Sequence, residues 1–222
     1  MNNKKTPVIL VDDHEMVRDG FYRIITTNKS FEVLGQFSTV VDTIESGLLN
    51  KCKILITDIS IGKENGLTLL EYLKNNKIDC KPIVVSMHEN SFYLQKAKAL
   101  GVQGFLSKSE ASNMLLNALE SIRDGQLFFS DEIRKKMKHA ESALTTFSKL
   151  YPKEKNVFLY LAKGASVKVI AAQMDISIKT VHAHRLNLYK KFGFNSSFDF
   201  TKFALTHGII SITDIESSIS KT

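Results

Sequence analysis

Five short runs rich in β-branched residues alternate with amphipathic segments over the first 127 residues. The runs are PVILV (7–11), FEVLGQF (31–37), KILITD (53–58), PIVVS (82–86) and GFLS (104–107). After each run, apolar residues recur at helical spacing, as Val17, Phe21 and Ile24 do after the first. Such alternation predicts an α/β fold, in which helices cover both faces of a parallel sheet.

Polar side chains follow four of these predicted strands at the point where each strand ends. Asp12 and Asp13 follow the first strand, Asp58 lies at the end of the third, Ser86 closes the fourth and Lys108 follows the fifth. In a parallel sheet, ligands bind beyond the carboxyl ends of the strands, so these side chains are expected to converge. Gathered carboxylates need a compensating cation, and oxygen ligands favour Mg²⁺. A carboxylate beside Mg²⁺, lysine and a hydroxyl is suited to attack a phosphoryl group and form an acyl phosphate.

Residues 6–127 resemble a response-regulator receiver domain in the segments VDDH, ITDISIGKENG, VVSMH and GFLSKS. The resemblance implies a flavodoxin-like (βα)5 fold and phosphorylation of Asp58 by a sensor histidine kinase. It also implies that Asp13, Asp58 and the carbonyl of Ser60 bind Mg²⁺, and that Asp12 acts through water. Phe105 matches the aromatic switch position of the family.

The segment after Asp58 departs from the receiver pattern. Ile61 and Gly62 stand where the family usually has Met-Pro, whereas Gly66 is retained. We therefore expect a loop that folds back at Gly66 but is less rigid than usual. By analogy with the family, His88 and Ser60 flank the phosphate position and are expected to influence the lifetime of the acyl phosphate.

The C-terminal part of the chain is basic. The net charge of +7 arises in residues 131–222, which hold 15 basic and 8 acidic side chains, and this imbalance suggests an anionic partner such as nucleic acid. Residues 128–147 are predicted to be a linker, helical over 131–140 and Ser/Thr-rich over 141–147. Four predicted helices follow, the last over 197–207. The second and third of these begin after capping residues Ser166 and Ser177, are separated by a tight turn, and form a helix-turn-helix pattern.

Several cationic and polar side chains of this pattern are candidates for contact with phosphates or base edges in a major groove. They are Lys168, Lys179, Thr180, His182, His184, Arg185 and Lys190. His184 has two readings, since it lies beside the predicted core positions and could orient the helix instead. Phe198, Phe200, Phe203 and Ala204 of the last helix are likewise open between a dimer contact and ordinary core packing.

Residues 148–213 resemble a LuxR-type DNA-binding domain in KGASVKVIAAQMDISIKTVHAHRLNLYKKFG. A receiver followed by such an all-α domain is the arrangement of NarL/FixJ-family response regulators. Within that family, DDHEMVRDGF and KTVHAHRLNL look most like the regulators of hexose-phosphate uptake. The resemblance implies a transcription factor rather than an enzyme, which binds double-stranded promoter DNA, forms a homodimer when phosphorylated, and has RNA polymerase as a possible further partner.

Two other functions fit parts of the sequence. A phosphohydrolase with an aspartyl nucleophile shares the sheet topology, but such enzymes generally need a second acid two residues later, where this chain has Ser60. A regulator that binds DNA independently of phosphorylation, with a degenerate receiver, is compatible with Ile61 and Gly62. Without a membrane-span pattern or a signal-peptide pattern, we expect a cytoplasmic protein. Cys52 and Cys80 match no metal or redox spacing and are expected to be buried thiols.

Overall fold

A computed structural model describes residues 5–88 and 91–219. Its strands are β1 (Thr6–Val11), β2 (Phe31–Phe37), β3 (Ile54–Thr57), β4 (Ser60–Ile61), β5 (Glu64–Asn65), β6 (Lys81–Ser86), β7 (Gly104–Ser107) and β8 (Phe128–Phe129). Its α-helices are α1 (Glu15–Thr26), α2 (Val40–Glu45), α3 (Leu67–Asn75), α4 (Ser91–Ala99), α5 (Lys108–Arg123), α6 (Asp131–Ser148), α7 (Pro152–Ala162), α8 (Val167–Met174), α9 (Ile178–Phe192), α10 (Ser197–Thr206) and α11 (Ile212–Ile219). None of these helices is long and apolar enough to cross a membrane.

The chain divides into two compact units, with the division inside α6 between Lys136 and Met137. The first unit contains a six-stranded sheet in the order β2-β1-β3-β6-β7-β8, in which every neighbouring pair is parallel. The predicted parallel α/β fold is therefore confirmed. The five predicted strands form the sheet together with β8, a two-residue strand whose shortness gives no periodic signal in the sequence.

Apolar cores lie on both faces of the sheet. Val8, Leu10 and Ile83 belong to one cluster together with the buried side of α5, whereas Ile9 and Leu55 belong to another together with α3. Strands buried on both faces need apolar residues at consecutive positions. This requirement explains why β1, β3 and β6 read as continuous apolar runs rather than as alternating patterns.

The second unit is helical and has its own core. Val157, Ile170, Val181, Leu188 and Phe200 are all completely buried there. They come from α7, α8, α9 and α10 in turn, so each of the four predicted helices contributes to one core. Two features differ from the prediction: α6 continues through residues 141–147, and α11 follows α10. Hydroxyls of the Ser/Thr residues in α6 find partners within the helix, as Thr145 Oγ1 does by donating to Glu141 O at 2.7 Å.

Candidate functional site

The loop between β1 and α1 holds the acidic pair at the carboxyl end of the sheet. The backbone N–H of Asp12 donates to Phe37 O at 3.1 Å, and Arg18 donates to Asp12 O at 2.6 Å. The Asp12 side chain is buried, while that of Asp13 is 31% exposed. The loop therefore fixes one carboxylate inside the site and leaves the other at its rim.

Asp58 lies directly after β3, and its backbone N–H continues the sheet ladder by donating to Val11 O at 3.0 Å. The residue is only 5% exposed. Its Oδ1 accepts hydrogen bonds from the backbone N–H of Ile59 and from Ser86 Oγ, each at 2.5 Å. Ser86 ends β6, the neighbouring strand, so the parallel pairing of β3 and β6 brings these two side chains together.

Lys108 reaches the site from the fifth predicted strand. Ser107 ends β7 and caps α5, which makes Lys108 the first residue of that helix. Its Nζ lies 2.7 Å from Asp12 Oδ2 and 2.7 Å from Asp58 Oδ2. Burial opposes protonation of Lys108, but its hydrogen bonds to Asp12 and Asp58 and their negative charges outweigh burial and raise its pKa. The lysine therefore stays cationic between two carboxylates.

Asp12, Asp13 and Asp58 have a geometry that suits a divalent cation. One carboxylate oxygen of each lies within 4.8 Å of the others, and a ring nitrogen of His14 lies within the same distance. Carboxylate oxygens are the ligands that Mg²⁺ prefers, so the donor set fits this cation. The motif VDDH contains His14, but the sequence pattern assigns it no role. Its Nδ1 lies 3.0 Å from Asp13 Oδ1 and 3.2 Å from Asp12 Oδ1.

The segment after Asp58 forms a short hairpin. Ser60 begins β4 and pairs with Asn65 of β5, Ile61 is buried, and Gly62 makes the turn with φ +58°. The N–H of Gly62 donates to Asp13 Oδ2 at 2.9 Å, a bond that proline at this position lacks the N–H to make. The loop folds back as expected, since the N–H of Gly66 donates to Ile59 O at 2.7 Å.

Phe105 is completely buried in β7, where it pairs in register with Val84 of β6. Ser86, two residues after Val84, pairs with Ser107 in the same ladder. His88 is exposed, and its backbone N–H donates to Ser86 Oγ at 3.2 Å. The predicted phosphoacceptor, hydroxyl, lysine and acidic pair thus share one end of the sheet, with Phe105 inside the strand next to Ser86.

In the second unit, the predicted DNA-contacting side chains differ in exposure. Lys168, Lys179, His182 and Lys190 are exposed, whereas Thr180, His184 and Arg185 are half-buried. Thr180 takes part in the N-terminal cap of α9, because its N–H donates to Ser177 Oγ at 3.0 Å. The Arg185 guanidinium lies 5.8 Å from the centre of the Tyr189 ring, and its Nε makes no hydrogen bond within the described ranges. Of the seven candidates, the first four have side chains that are open to solvent.

An ion pair that the sequence pattern did not predict joins α7 to α9, and its acidic member is buried. Glu154 is 5% exposed, and its two carboxylate oxygens each lie 2.8 Å from Lys191 Nζ. Asn187 Nδ2 and the backbone N–H of Tyr151 also donate to it. Burial raises the pKa of Glu154, but these partners outweigh burial, so the net shift is downward. The proline at the first position of α7 and the glutamate at its third are signals of a helix start, but not of a partner on α9.

On α10, core packing accounts for most of the candidate dimer residues. Phe200 and Ala204 are completely buried, and Phe203 packs partly buried against the same core. Phe198 is 69% exposed. The ring of Phe158 at the centre of this core contacts the rings of Phe147, Phe192, Phe194, Phe200 and Phe203.

Two protein families match this chain. Residues 8–120 match the response regulator receiver domain, and residues 148–204 match the luxR family of bacterial regulatory proteins. The chain is a response regulator of the receiver and LuxR type. Members of this family are DNA-binding transcription regulators controlled by phosphorylation, and they are not enzymes.

Relatives of this response regulator match it over most of its length. Response regulator UvrY of Escherichia coli K12 is 28% identical over 95% of this chain and 98% of its own. UhpA of Salmonella typhimurium LT2 is 33% identical over 84% of this chain and 91% of its own. The predicted NarL/FixJ-type resemblance, with UhpA among the relatives, is confirmed.

Solved structures of the response regulator RcsB have the same fold. A Salmonella typhimurium RcsB structure aligns with a TM-score of 0.75 at 26% identity, covering 90% of this chain and 98% of that one. A structure described as an RcsB–DNA complex aligns with a TM-score of 0.68 at 25% identity, covering 91% and 99%. The flavodoxin-like receiver followed by a helical domain is therefore confirmed.

Proposed function

We propose that Asp58 is the residue through which this response regulator is switched, and that it accepts a phosphoryl group from a sensor histidine kinase. The observation that supports this proposal is that the Asp58 carboxylate contacts both a lysine and a hydroxyl group. One oxygen lies 2.7 Å from Lys108 Nζ, and the other accepts from Ser86 Oγ at 2.5 Å. A nucleophilic carboxylate beside a lysine and a hydroxyl has the groups that phosphoryl transfer to aspartate requires.

Asp13, Asp58 and the carbonyl of Ser60 would hold Mg²⁺, with Asp12 acting through water. When bound, the cation supplies positive charge that offsets the charge on the transferring oxygens. Gly62 supports this arrangement, because its N–H donates to Asp13 Oδ2 and so helps to fix the orientation of that carboxylate. The receiver domain thus uses one backbone donor of the hairpin to position a carboxylate.

An Asp58 carboxylate oxygen attacks phosphorus, and the bond from phosphorus to the donor histidine breaks. Lys108 then pairs with a phosphoryl oxygen in place of the carboxylate oxygen it contacted. The Ser86 hydroxyl turns from Asp58 to the phosphoryl group. It needs only a short movement, because Ser86 Oγ already donates a hydrogen bond to the carboxylate that becomes phosphorylated. Phe105 follows the displacement of Ser86 and β6, which shifts an equilibrium between two receiver conformations.

We propose that α8 and α9 bind promoter DNA as a helix-turn-helix. The exposed side chains of Lys168, Lys179, His182 and Lys190 contact phosphates or base edges, and half-buried Thr180, His184 and Arg185 position α9. Phosphorylation promotes a homodimer that reads two half-sites. At a promoter, RNA polymerase is the partner whose recruitment such a dimer alters. Residues 6–127, 128–147 and 148–213 are the receiver, linker and DNA-binding segments of this proposal.

The phosphorylation proposal is tested with Asp58→Asn and with Asp19→Asn, a control on the exposed side of α1. With acetyl phosphate and Mg²⁺, wild type and the control gain one phosphoryl group by intact mass, and Asp58→Asn gains none. Promoter binding with the phosphodonor present is stronger than without it in the first two proteins only. If Asp58→Asn binds DNA as wild type does under these conditions, the regulator is independent of phosphorylation.

The DNA-binding proposal is tested by titrating a promoter fragment at several salt concentrations. Removing one phosphate-binding side chain lowers the salt slope by about one, because fewer counterions are released. We expect Lys179→Ala to weaken binding and reduce the slope, and Lys138→Ala, an exposed position on α6, to change neither. An unchanged slope for Lys179→Ala would remove this side chain from the interface.

A further inference from the structure

Two free cysteines lie together at the end of the sheet opposite Asp58. Cys52 lies two residues before β3, Cys80 lies immediately before β6, and both are buried. They belong to the same apolar cluster, on the sheet face that α3 covers. The phosphorylation chemistry uses neither of them.

The backbone geometry brings the two residues within range of a disulfide bond. Ile54 pairs with Lys81, and the N–H of Lys81 donates to Lys53 O at 2.9 Å, so the ladder extends to the residues beside both cysteines. Continued by one residue, this register sets Cys80 beside Lys53, so Cys52 is its diagonal neighbour. A strand spacing of about 4.8 Å and a rise of about 3.3 Å per residue place the two Cα atoms about 6 Å apart, within the range of about 4.4–6.8 Å that a disulfide spans. The Cys52 thiol turns back along its own strand and donates to Ile54 O at 3.0 Å.

The two buried thiols share one apolar cluster, and the Cys52 thiol influences the ionisation of Cys80. A hydrogen bond with the Cys52 thiol, followed by burial, raises the pKa of the Cys80 thiol. Cys80 is therefore protonated at neutral pH, and its reaction with a disulfide is slow, because the thiolate is the attacking species. Proximity favours closure of the pair once one sulfur has been oxidised.

A surface cavity of about 640 Å³ gives access to Cys80. It lies between the C-terminal ends of α3 and α4 and the start of β6. Its lining includes four lysines, Lys74, Lys77, Lys81 and Lys98, and one acid, Asp79. Asp79 is paired with Lys53 Nζ at 2.5 Å. This excess of positive charge favours an anionic molecule in the cavity that leads to the thiol.

We propose that Cys52 and Cys80 form a reversible disulfide by exchange with an acidic low-molecular-weight disulfide, such as oxidised glutathione, that enters this cavity. Cys80 reacts through its small deprotonated fraction: this thiolate attacks one sulfur, the small disulfide breaks, and one small thiolate leaves with the bonding electrons and takes up the proton that Cys80 lost. Cys52 then attacks the Cys80 sulfur and releases the second small thiol. Two protein thiols are oxidised and one small disulfide is reduced to two thiols.

The proposal is tested on the full-length protein incubated with oxidised glutathione, then denatured and alkylated. We expect intact mass to show a loss of about 2 Da and no alkylation, with a peptide that joins Cys52 to Cys80 and is separated again by dithiothreitol. Cys52→Ser should instead retain glutathione on Cys80, because the resolving thiol is missing. Two alkylated thiols in wild type, or a stable glutathione adduct there, would each overturn the proposal.

The role of the basic cavity is tested by the rate of closure. Oxidised glutathione should act several-fold faster than cystamine, a cationic disulfide, and Lys77→Gln should reduce that preference. Lys29→Gln, at a position outside the cavity lining, is the matched control. Equal rates with both disulfides in wild type would show that the cavity does not select the oxidant. None of these measurements depends on phosphorylation of Asp58.

Discussion

Replacing Gly66 with alanine places a methyl group against the backbone of the proposed phosphoacceptor. The new Cβ would lie 1.8 Å from Asp58 O and 2.8 Å from Thr57 Oγ1. Real Cβ atoms essentially never approach closer than 3.0 Å, so the Asp58 carbonyl and the helix start must separate by about 1.2 Å. Gly66 itself has φ −61°, which alanine adopts freely, so the effect comes from the clash and not from backbone strain.

This displacement has two consequences. The neighbour is backbone and not a flexible side-chain end, so we expect destabilisation of about 1–3 kcal/mol, as in other overpacked cores. A movement of about 1 Å at a reacting group lowers a rate by about a hundredfold. Phosphorylation of Gly66→Ala by acetyl phosphate with Mg²⁺ should therefore be slower by about one to two orders of magnitude.

Hydrogen exchange of the β3 amides measures the first effect, and phosphoryl incorporation by intact mass measures the second. These amides exchange when the receiver unit unfolds. A destabilisation of about 1–2 kcal/mol should therefore make their hydrogen exchange about 5–30 times faster. Gly20→Ala is the matched control. Apart from its chain neighbours and its own helix backbone, no heavy atom of the described residues lies within 4 Å of the position that its Cβ would occupy, and alanine favours α1 by about 1 kcal/mol. If Gly66→Ala exchanges and accepts phosphate as wild type does, the loop adjusts without moving Asp58, and the reasoning from the clash is refuted.

Three further variants test other parts of the molecule. Glu154→Gln removes the charge that pairs with Lys191. Because Lys191 is half-exposed, we expect the free energy of unfolding of the helical unit to fall by only about 1–2 kcal/mol, as measured by denaturant unfolding. Folding lowers the pKa of Glu154, so the charged carboxylate stabilises the folded protein at every pH above 4.5, its pKa in the unfolded chain. This stabilisation is lost as pH falls through the pKa of Glu154 in the folded protein. Below that pH, the variant and the wild type should have the same free energy of unfolding. Phe198→Ser should weaken the phosphorylated dimer, measured by sedimentation. It should not alter the melting temperature, because the Phe198 ring is 69% exposed. An unchanged dimer would show that Phe198 is not part of the dimer interface. His88→Ala should change the dephosphorylation rate by several-fold, measured by phosphate release, and an unchanged rate would exclude His88 from admitting water.

Much of the receiver fold follows from local sequence. β1, β3 and β6 are buried on both faces, so their apolar runs are readable without tertiary information. The polar residue that ends each strand then lies at one edge of the sheet by topology alone. Ser107, as the cap of α5, sets Lys108 at the start of the helix, a local signal as well.

Other features had no local signal. β8 is two residues long, and the β4–β5 hairpin depends on Ile61 burying its side chain and Gly62 reaching Asp13, 49 positions away. Ile61 and Gly62 led us to predict a loop that is less rigid than usual, and the tertiary contacts that form its hairpin could not be predicted from those residues. Helix and strand propensities reflect a residue and its neighbours along the chain, so they do not predict contacts with residues that are distant in the sequence.

The sequence alone therefore determined the two domains, the parallel sheet and the edge of the sheet at which the acids, Ser86 and Lys108 converge. Only the tertiary structure decided which oxygen meets which donor, that Phe200 belongs to the core while Phe198 does not, and that Glu154 is paired with Lys191. It also decided that Cys52 and Cys80, distant in the chain, share a cluster. The physical reason is that periodicity encodes burial and strand ends, whereas pairing between elements depends on the register with which separate strands and helices pack.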